Sequence, residues 1–258
     1  MNKLIYLSFF SLKLFVFSVD VSTFCGTAYD EKKNILFKEE YKIESEKDKI
    51  LNVSTKFFCP KGELLAEMHS DFSKNSFVPH VKFSKKDFDY GAKLFEQGIE
   101  LFKKTLVSEK KTKTLSLKEN MVTGHGFYFY ILSKLDSLLK GEKSQMVFIQ
   151  PNRLGAYTFN MKAKKISDEN VKVELVIDSA ILRKFVPDIE LIINQKTNSL
   201  VSYKGLSGFY SDDKSLKNIS VSYTTPQVLK GPEKQDSLPS QDAQGDLSLK
   251  SHVSSHAP

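Results

Sequence analysis

The chain has 258 residues, 40% of them apolar and 27% charged, with a formal charge of +7, an ordinary globular balance. That basicity does not mark a nucleic-acid binder. Only Arg153 and Arg183 of the 38 basic residues are arginine, and the lysines are interleaved with acids, as in Glu44, Glu46, Lys47, Asp48 and Lys49, so a clustered electrostatic footprint is missing.

In chain order, residues 1–24 read as an export signal: Lys3 leads an apolar run too short to span a bilayer, and Val16 and Ser18 suit a cut after Ser18, with 24 as the outer limit. No transmembrane anchor is expected once it is removed. Cys25 after an apolar signal would suit a lipoprotein, but Phe24 stands where that processing wants a small residue, so soluble export leads. Cys25 and Cys59 are the two cysteines. In an oxidising compartment they offer one disulfide, the alternative being two buried thiols.

Residues 19–223 are expected to form a single β-rich domain. Ile35–Ile43 alternates, with Ile35, Phe37, Tyr41 and Ile43 on one face, and Leu51–Phe57 does so with Leu51, Val53, Thr55 and Phe57. Pro60-Lys61-Gly62 is a turn leading into a strand over Leu64–Phe72. A short strand follows at Val78–Phe83, where Pro79 suggests an edge or bend. Residues 90–105 divide at Gln97-Gly98 into a hairpin, and residues 106–121 are a polar, lysine-rich excursion.

The spacing of Phe127, Tyr130, Ile131, Lys134, Leu135, Leu138 and Leu139 predicts a helix over Gly126–Leu139, stopped by Gly141. Strands follow at Gln145–Ile149, Gly155–Ala163, Asn170–Ile177, Asp188–Ile193, Leu200–Lys204 and Leu216–Tyr223. Ser179 begins a short helix that ends before Pro187. Residues 224–258 are poor in large apolar groups and should be a disordered tail. The product is an α+β, β-rich fold: a long curved antiparallel sheet, an incomplete barrel, packed on one main helix.

Several runs carry a family likeness: "CGTAYDEKKNILFKEEYKIE", "FFCPKGELLAEM", "LLKGE", "FIQPNR" and "LRKFVPDIELIINQKTNSLVSYKGLSGFY". Over about residues 26–223 the chain resembles a family of uncharacterised bacterial secreted or periplasmic proteins, with the Tyr203, Gly205, Leu206 and Ser207 stretch near its end. The resemblance implies the periplasm or envelope of a Gram-negative-type bacterium and supplies no activity.

For chemistry, His125 between Gly124 and Gly126 is the most suggestive residue, since flanking glycines at a helix N-terminus let a ligand approach backbone N–H groups; a loop histidine is the plainer explanation. His69 and His80 do not have metal-site spacing, and neither cofactor nor metal is expected. Ser207 in Gly205-Leu206-Ser207-Gly208 lacks the nucleophile-elbow pattern, and Asp188 with Glu190 suits solvated strand-end charges. A non-enzymatic role leads: binding a hydrophobic or lipid-like molecule at His125, Phe127 and Ile131, between sheet and helix. The alternatives are an envelope adaptor that holds a protein partner and, behind it, a hydrolase using His125.

Overall fold

Alternation builds this molecule. In β2 (Ile35–Glu46), β3 (Lys49–Phe58) and β4 (Leu64–Asp71), every second side chain turns inward, burying Phe37, Glu39, Val53, Thr55, Phe57, Ala66 and Ser70. The computed structural model describes residues 19–47, 49–96, 98–207 and 218–229; the expected signal and most of the expected tail lie outside them.

The sheet grows from β1 (Asp20–Tyr29) in two directions. On one side β2, β3 and β4 continue as a meander through β5 (His80–Lys85), β6 (Phe88–Phe95), β7 (Gly98–Thr105) and β8 (Ser108–Leu115). β9 (Met121–Thr123) and α1 (Gly126–Leu139) then lead to a second meander of β10 (Ser144–Gln150), β11 (Gly155–Lys165), β12 (Asn170–Ile177), β13 (Ile189–Asn194), β14 (Ser199–Leu206) and β15 (Asn218–Tyr223). β15 returns to the free side of β1, and β16 (Gln227–Leu229) continues along it one residue out of step. Thr224 bridges the offset: its Oγ1 accepts from the Cys25 N–H at 2.9 Å, and its N–H donates to the Cys25 carbonyl at 2.9 Å. Neighbouring strands are antiparallel except β9 and β10, which are parallel.

The sheet is open, with β8 and β9 as its terminal strands. Its two ends meet through side chains: Leu94, Ile99 and Leu101 of β6 and β7 pack against Met121 of β9 and Ile149 of β10. The strip is therefore curled into a barrel-like shape without a closing ladder.

α1 forms over the predicted residues and docks Tyr130, Ile131, Leu135 and Leu138 against Met146, Met161, Val173 and Leu175 of the second meander. Each such fully buried side chain is worth about 1.5–3 kcal/mol. Gly141, at φ 86°, turns the chain in a Schellman motif, in which the Glu142 N–H reaches the Ser137 carbonyl and the Gly141 N–H that of Leu138. Among the described residues no helix is long and apolar enough to cross a membrane.

Four expectations change. The polar stretch after residue 106 is exposed but contains a strand, β8, whose lysines and threonines face solvent because it is an edge. Of the two readings of Pro79 the edge falls and the bend stands: it follows a bend over residues 76–78 and precedes β5, which lies between β4 and β6. The ordered chain passes Tyr223 into β16. Cys25 and Cys59 are free, and Cys25 is exposed rather than buried.

The register explains the free thiols. Cys25 lies opposite Glu40 in β2, which lies opposite Lys56 in β3, three residues before Cys59. Two strand spacings of about 4.8 Å and three rises of about 3.3 Å exceed the roughly 7 Å over which Cα atoms can be bridged. Unreduced protein is expected to give two thiols with Ellman's reagent, Cys25 reacting first; a titre that appears only after reduction would show an intramolecular bridge.

Candidate functional site

The curl encloses a cavity of about 330 Å³. Both meanders line it: Phe37 and Phe57 from β2 and β3, Phe83 and Tyr90 from β5 and β6, and Phe148 and Leu191 from β10 and β13. Residues so distant in strand order share one space because the sheet wraps around it. Phe127, in the first turn of α1, stands against Phe148 with ring centroids 5.5 Å apart. Phe24 of β1 stacks on Tyr41 at 4.4 Å. Most of this lining is aromatic and aliphatic, the composition of a site for an apolar molecule.

A polar network crosses that surface. On β2 the alternation that turns Phe37 and Tyr41 inward also turns Glu39 inward, leaving it 6% exposed. Tyr41 donates its hydroxyl to Glu39 Oε2 at 2.9 Å, and Tyr223 of β15 also hydrogen-bonds the carboxyl. Burial pushes the Glu39 carboxyl up to about 7, against the opposing pull of these two hydroxyls. Burial and the Glu39 charge in turn raise Tyr41 and Tyr223 well above the usual phenol range. Tyr203 of β14 donates to the Leu206 carbonyl at 2.9 Å and is raised by the same causes.

Thr55 continues the network through its hydrogen bond with Tyr41. Its Oγ1 lies 2.7 Å from His125 Nε2, while His125 Nδ1 lies 2.8 Å from Ser70 Oγ. Burial, helped by the charge of His69, drives His125 down to about 3, so the ring is neutral around pH 7. A neutral imidazole has one donor and one acceptor nitrogen. Because Tyr41 gives its proton to Glu39, Thr55 donates to Tyr41 and accepts from the His125 Nε2–H, which leaves Nδ1 to accept from the Ser70 hydroxyl.

The arrangement is poorly suited to base catalysis. Ser70 and Thr55 have no exposed surface and are not cavity-lining groups, so neither hydroxyl is presented to a substrate. A histidine held near 3 is also a weak base at neutral pH. It suits a fixed polar tie joining β3 and β4 to the start of α1. The glycines beside it serve protein rather than ligand: a Cβ on Gly124 would meet Val81 and Ser70, and one on Gly126 would lie 2.1 Å from the Phe77 carbonyl oxygen.

Of the residues singled out from sequence, His125 and Phe127 line the cavity. Ile131, one turn further on, has no exposed surface and sits in the core between α1 and the second meander. His69 is exposed on β4 and His80 bonds to the Leu94 carbonyl. Glu190 pairs with Lys172 across β12 and β13 at 3.2 Å. Ser207 lines the cavity and is 3% exposed. Sequence reasoning missed Glu39, although residues 35, 37, 39, 41 and 43 share a strand face by the period-2 rule.

Over the described residues these features define an open, barrel-like β-sheet with one α-helix and an apolar internal cavity. No protein-family model matches the chain, and no curated protein matches it. Among solved structures, the β-barrel-like protein of the domain of unknown function DUF1849 from Brucella abortus superposes with a TM-score of 0.51 at 9% identity, covering 83% of this chain and 99% of that one. A DUF1329 family protein from Desulfovibrio piger is matched at a TM-score of 0.21 and 10% identity, over 82% of this chain and 85% of that one, too distant to carry an argument. The first likeness establishes the barrel-like architecture, in a protein itself of unknown function, which is consistent with the uncharacterised family that the sequence resembles.

Proposed function

We propose that this is an exported protein of the bacterial envelope that binds or carries one hydrophobic, lipid-like molecule in the cavity between the curled sheet and α1. The observation that carries the reading is the cavity itself. Its volume of about 330 Å³ falls at the lower end of the roughly 300–1,000 Å³ usual for small-molecule sites, suiting a single aliphatic chain or compact apolar molecule. Left empty, a space lined by Phe24, Phe37, Phe57, Phe83, Phe127 and Phe148 keeps apolar surface in contact with water, and an apolar guest removes that contact. Export rests on the signal-like residues 1–18. The strand pairing supports a cut after Ser18, because removal to residue 24 would strip β1 of Val21, Ser22 and Thr23, which pair with both β2 and β16.

The test is uptake of N-phenyl-1-naphthylamine, an apolar dye that brightens in dry sites, by protein purified without detergent. Stoichiometric uptake is expected, with loss of about tenfold or more in affinity for Phe127→Asp, a charge placed in the lining, while circular dichroism stays native. Absence of uptake, together with a ligand-free intact mass in native mass spectrometry, would sink the reading. Ile131 is unsuitable for this purpose, since a polar group there disrupts the core.

A further inference from the structure

We infer that the cavity selects amphiphiles with a hydrogen-bond-donating head, above all an aliphatic amine, and that Glu39 is the group that receives it. This rests on the carrier reading and names the ligand class of the same site. Among the described residues that line the cavity, Glu39 is the one acid, and no lysine or arginine stands with it. Its carboxyl is tied to Tyr41 and Tyr223 and, among the described residues, joins no ion pair. An ionised carboxylate offers about four acceptor positions on two oxygens. Two hydroxyl donors leave acceptor capacity in a space that an aliphatic chain would otherwise fill.

The surroundings decide which head is favoured. The titratable groups facing Glu39 are Tyr41 on its own strand, Tyr203 on β14 and Tyr223 on β15, with neutral His125 beyond Tyr41 and Thr55. None supplies a positive charge at neutral pH. A carboxylate head entering here meets a buried like charge or must take up a proton. An ammonium head instead supplies the missing counter-charge and charge-assisted hydrogen bonds, at the group whose unpaired burial is most unfavourable. A hydroxyl head gains the hydrogen bond without the charge and ranks between them.

A second consequence is linkage. Glu39 is about half protonated near pH 7 in the empty protein, and an ammonium requires its ionised form. Amine binding below that pH releases a proton, so affinity should fall by up to about tenfold per pH unit as the solution is acidified. Alkylamines titrate near the lysine value of about 10.4 and remain charged throughout.

The experiment is displacement of bound N-phenyl-1-naphthylamine by decylamine, decanol and decanoate at pH 5.5 and pH 7.5, on the parent and on Glu39→Gln. At pH 7.5 decylamine should displace the dye at a concentration at least about tenfold below that of decanoate, with decanol between them, and the gap should narrow at pH 5.5. Glu39→Gln should weaken decylamine by on the order of 10- to 100-fold and remove the pH dependence. Dye uptake with decanoate displacing as well as decylamine at pH 7.5 would overturn the head-group assignment and leave the carrier reading standing. No dye uptake would overturn both. The pH series on the parent decides the question even if the variant folds poorly.

Discussion

Glu39→Gln is expected to make stability rise with pH between about 4.5 and 6.5, a window in which the parent should be nearly flat. Glu39 is raised from 4.5 to about 7 by burial. The native state therefore keeps a proton that the unfolded chain has released, and this contribution, full below 4.5, is lost as pH rises to 7. His125 is lowered from 6.5 to about 3, and its contribution, full above 6.5, is lost as pH falls to 3. At 1.36 kcal/mol per pH unit the two span at most about 3 and about 5 kcal/mol. Between 4.5 and 6.5 the native state holds one proton on Glu39 and the unfolded state holds one on His125, so the slopes cancel. Removing Glu39 leaves the histidine slope of about +1.4 kcal/mol per unit, while His125→Gln leaves the opposite slope from Glu39. Urea denaturation at pH 4.5, 5.5, 6.5 and 7.5 reads all three proteins. Parallel profiles would show that neither group titrates as its burial demands.

The two groups were not equally legible in the sequence. His125 stands out because two glycines flank it, but its partners Thr55 and Ser70 are 70 and 55 residues away, and no local pattern announces pairings across strands. Glu39 was readable in principle. It sits at an inward position of an alternating strand, and the usual assumption that charged residues face water concealed it. Burial of an acid breaks that rule, and such breaks gather at functional sites.

The architecture was more legible than its seams. Hairpins with strong alternation and turn residues, such as β3–β4 and β13–β14, declare themselves, and so does α1 through its 3.6-residue period. β1 does not, because its first half, Asp20 to Phe24, falls within the outer limit of the apolar signal. β8 does not either, since a strand exposed on both faces has no apolar alternation to show. Ile131 lies one helical turn beyond Phe127 and shares its stripe, yet the second meander closes over α1 there. The helix period identifies a buried face but not where core ends and cavity begins.

Gly126→Ala should lower stability by about 3 kcal/mol or more, through backbone crowding rather than dihedral strain. The added Cβ would lie 2.1 Å from the Phe77 carbonyl oxygen and 2.9 Å from Pro79 Cδ. That carbonyl has little freedom to retreat. It accepts the Thr123 N–H at 3.1 Å, and the loop before it is pinned by Asn75 Oδ1, which takes the N–H groups of Phe77 and Val78 at 2.8 Å each. The alternative is for α1 to shift, which separates His125 from Ser70 and Thr55 and slides Tyr130, Ile131 and Leu135 off the second meander. Gly141→Ala is the matched control: its φ of 86° makes alanine strained, but nothing lies within 4 Å, so only about 1 kcal/mol is at stake. For a domain of this size 1 kcal/mol moves Tm by about 2–4 °C, so thermal melts should separate the variants by several degrees. Dye affinity should fall with Gly126→Ala alone, because α1 forms part of the cavity wall. Equal Tm shifts for the two would mean that the close approach of helix and loop is soft, and that α1 can move on its sheet without loss.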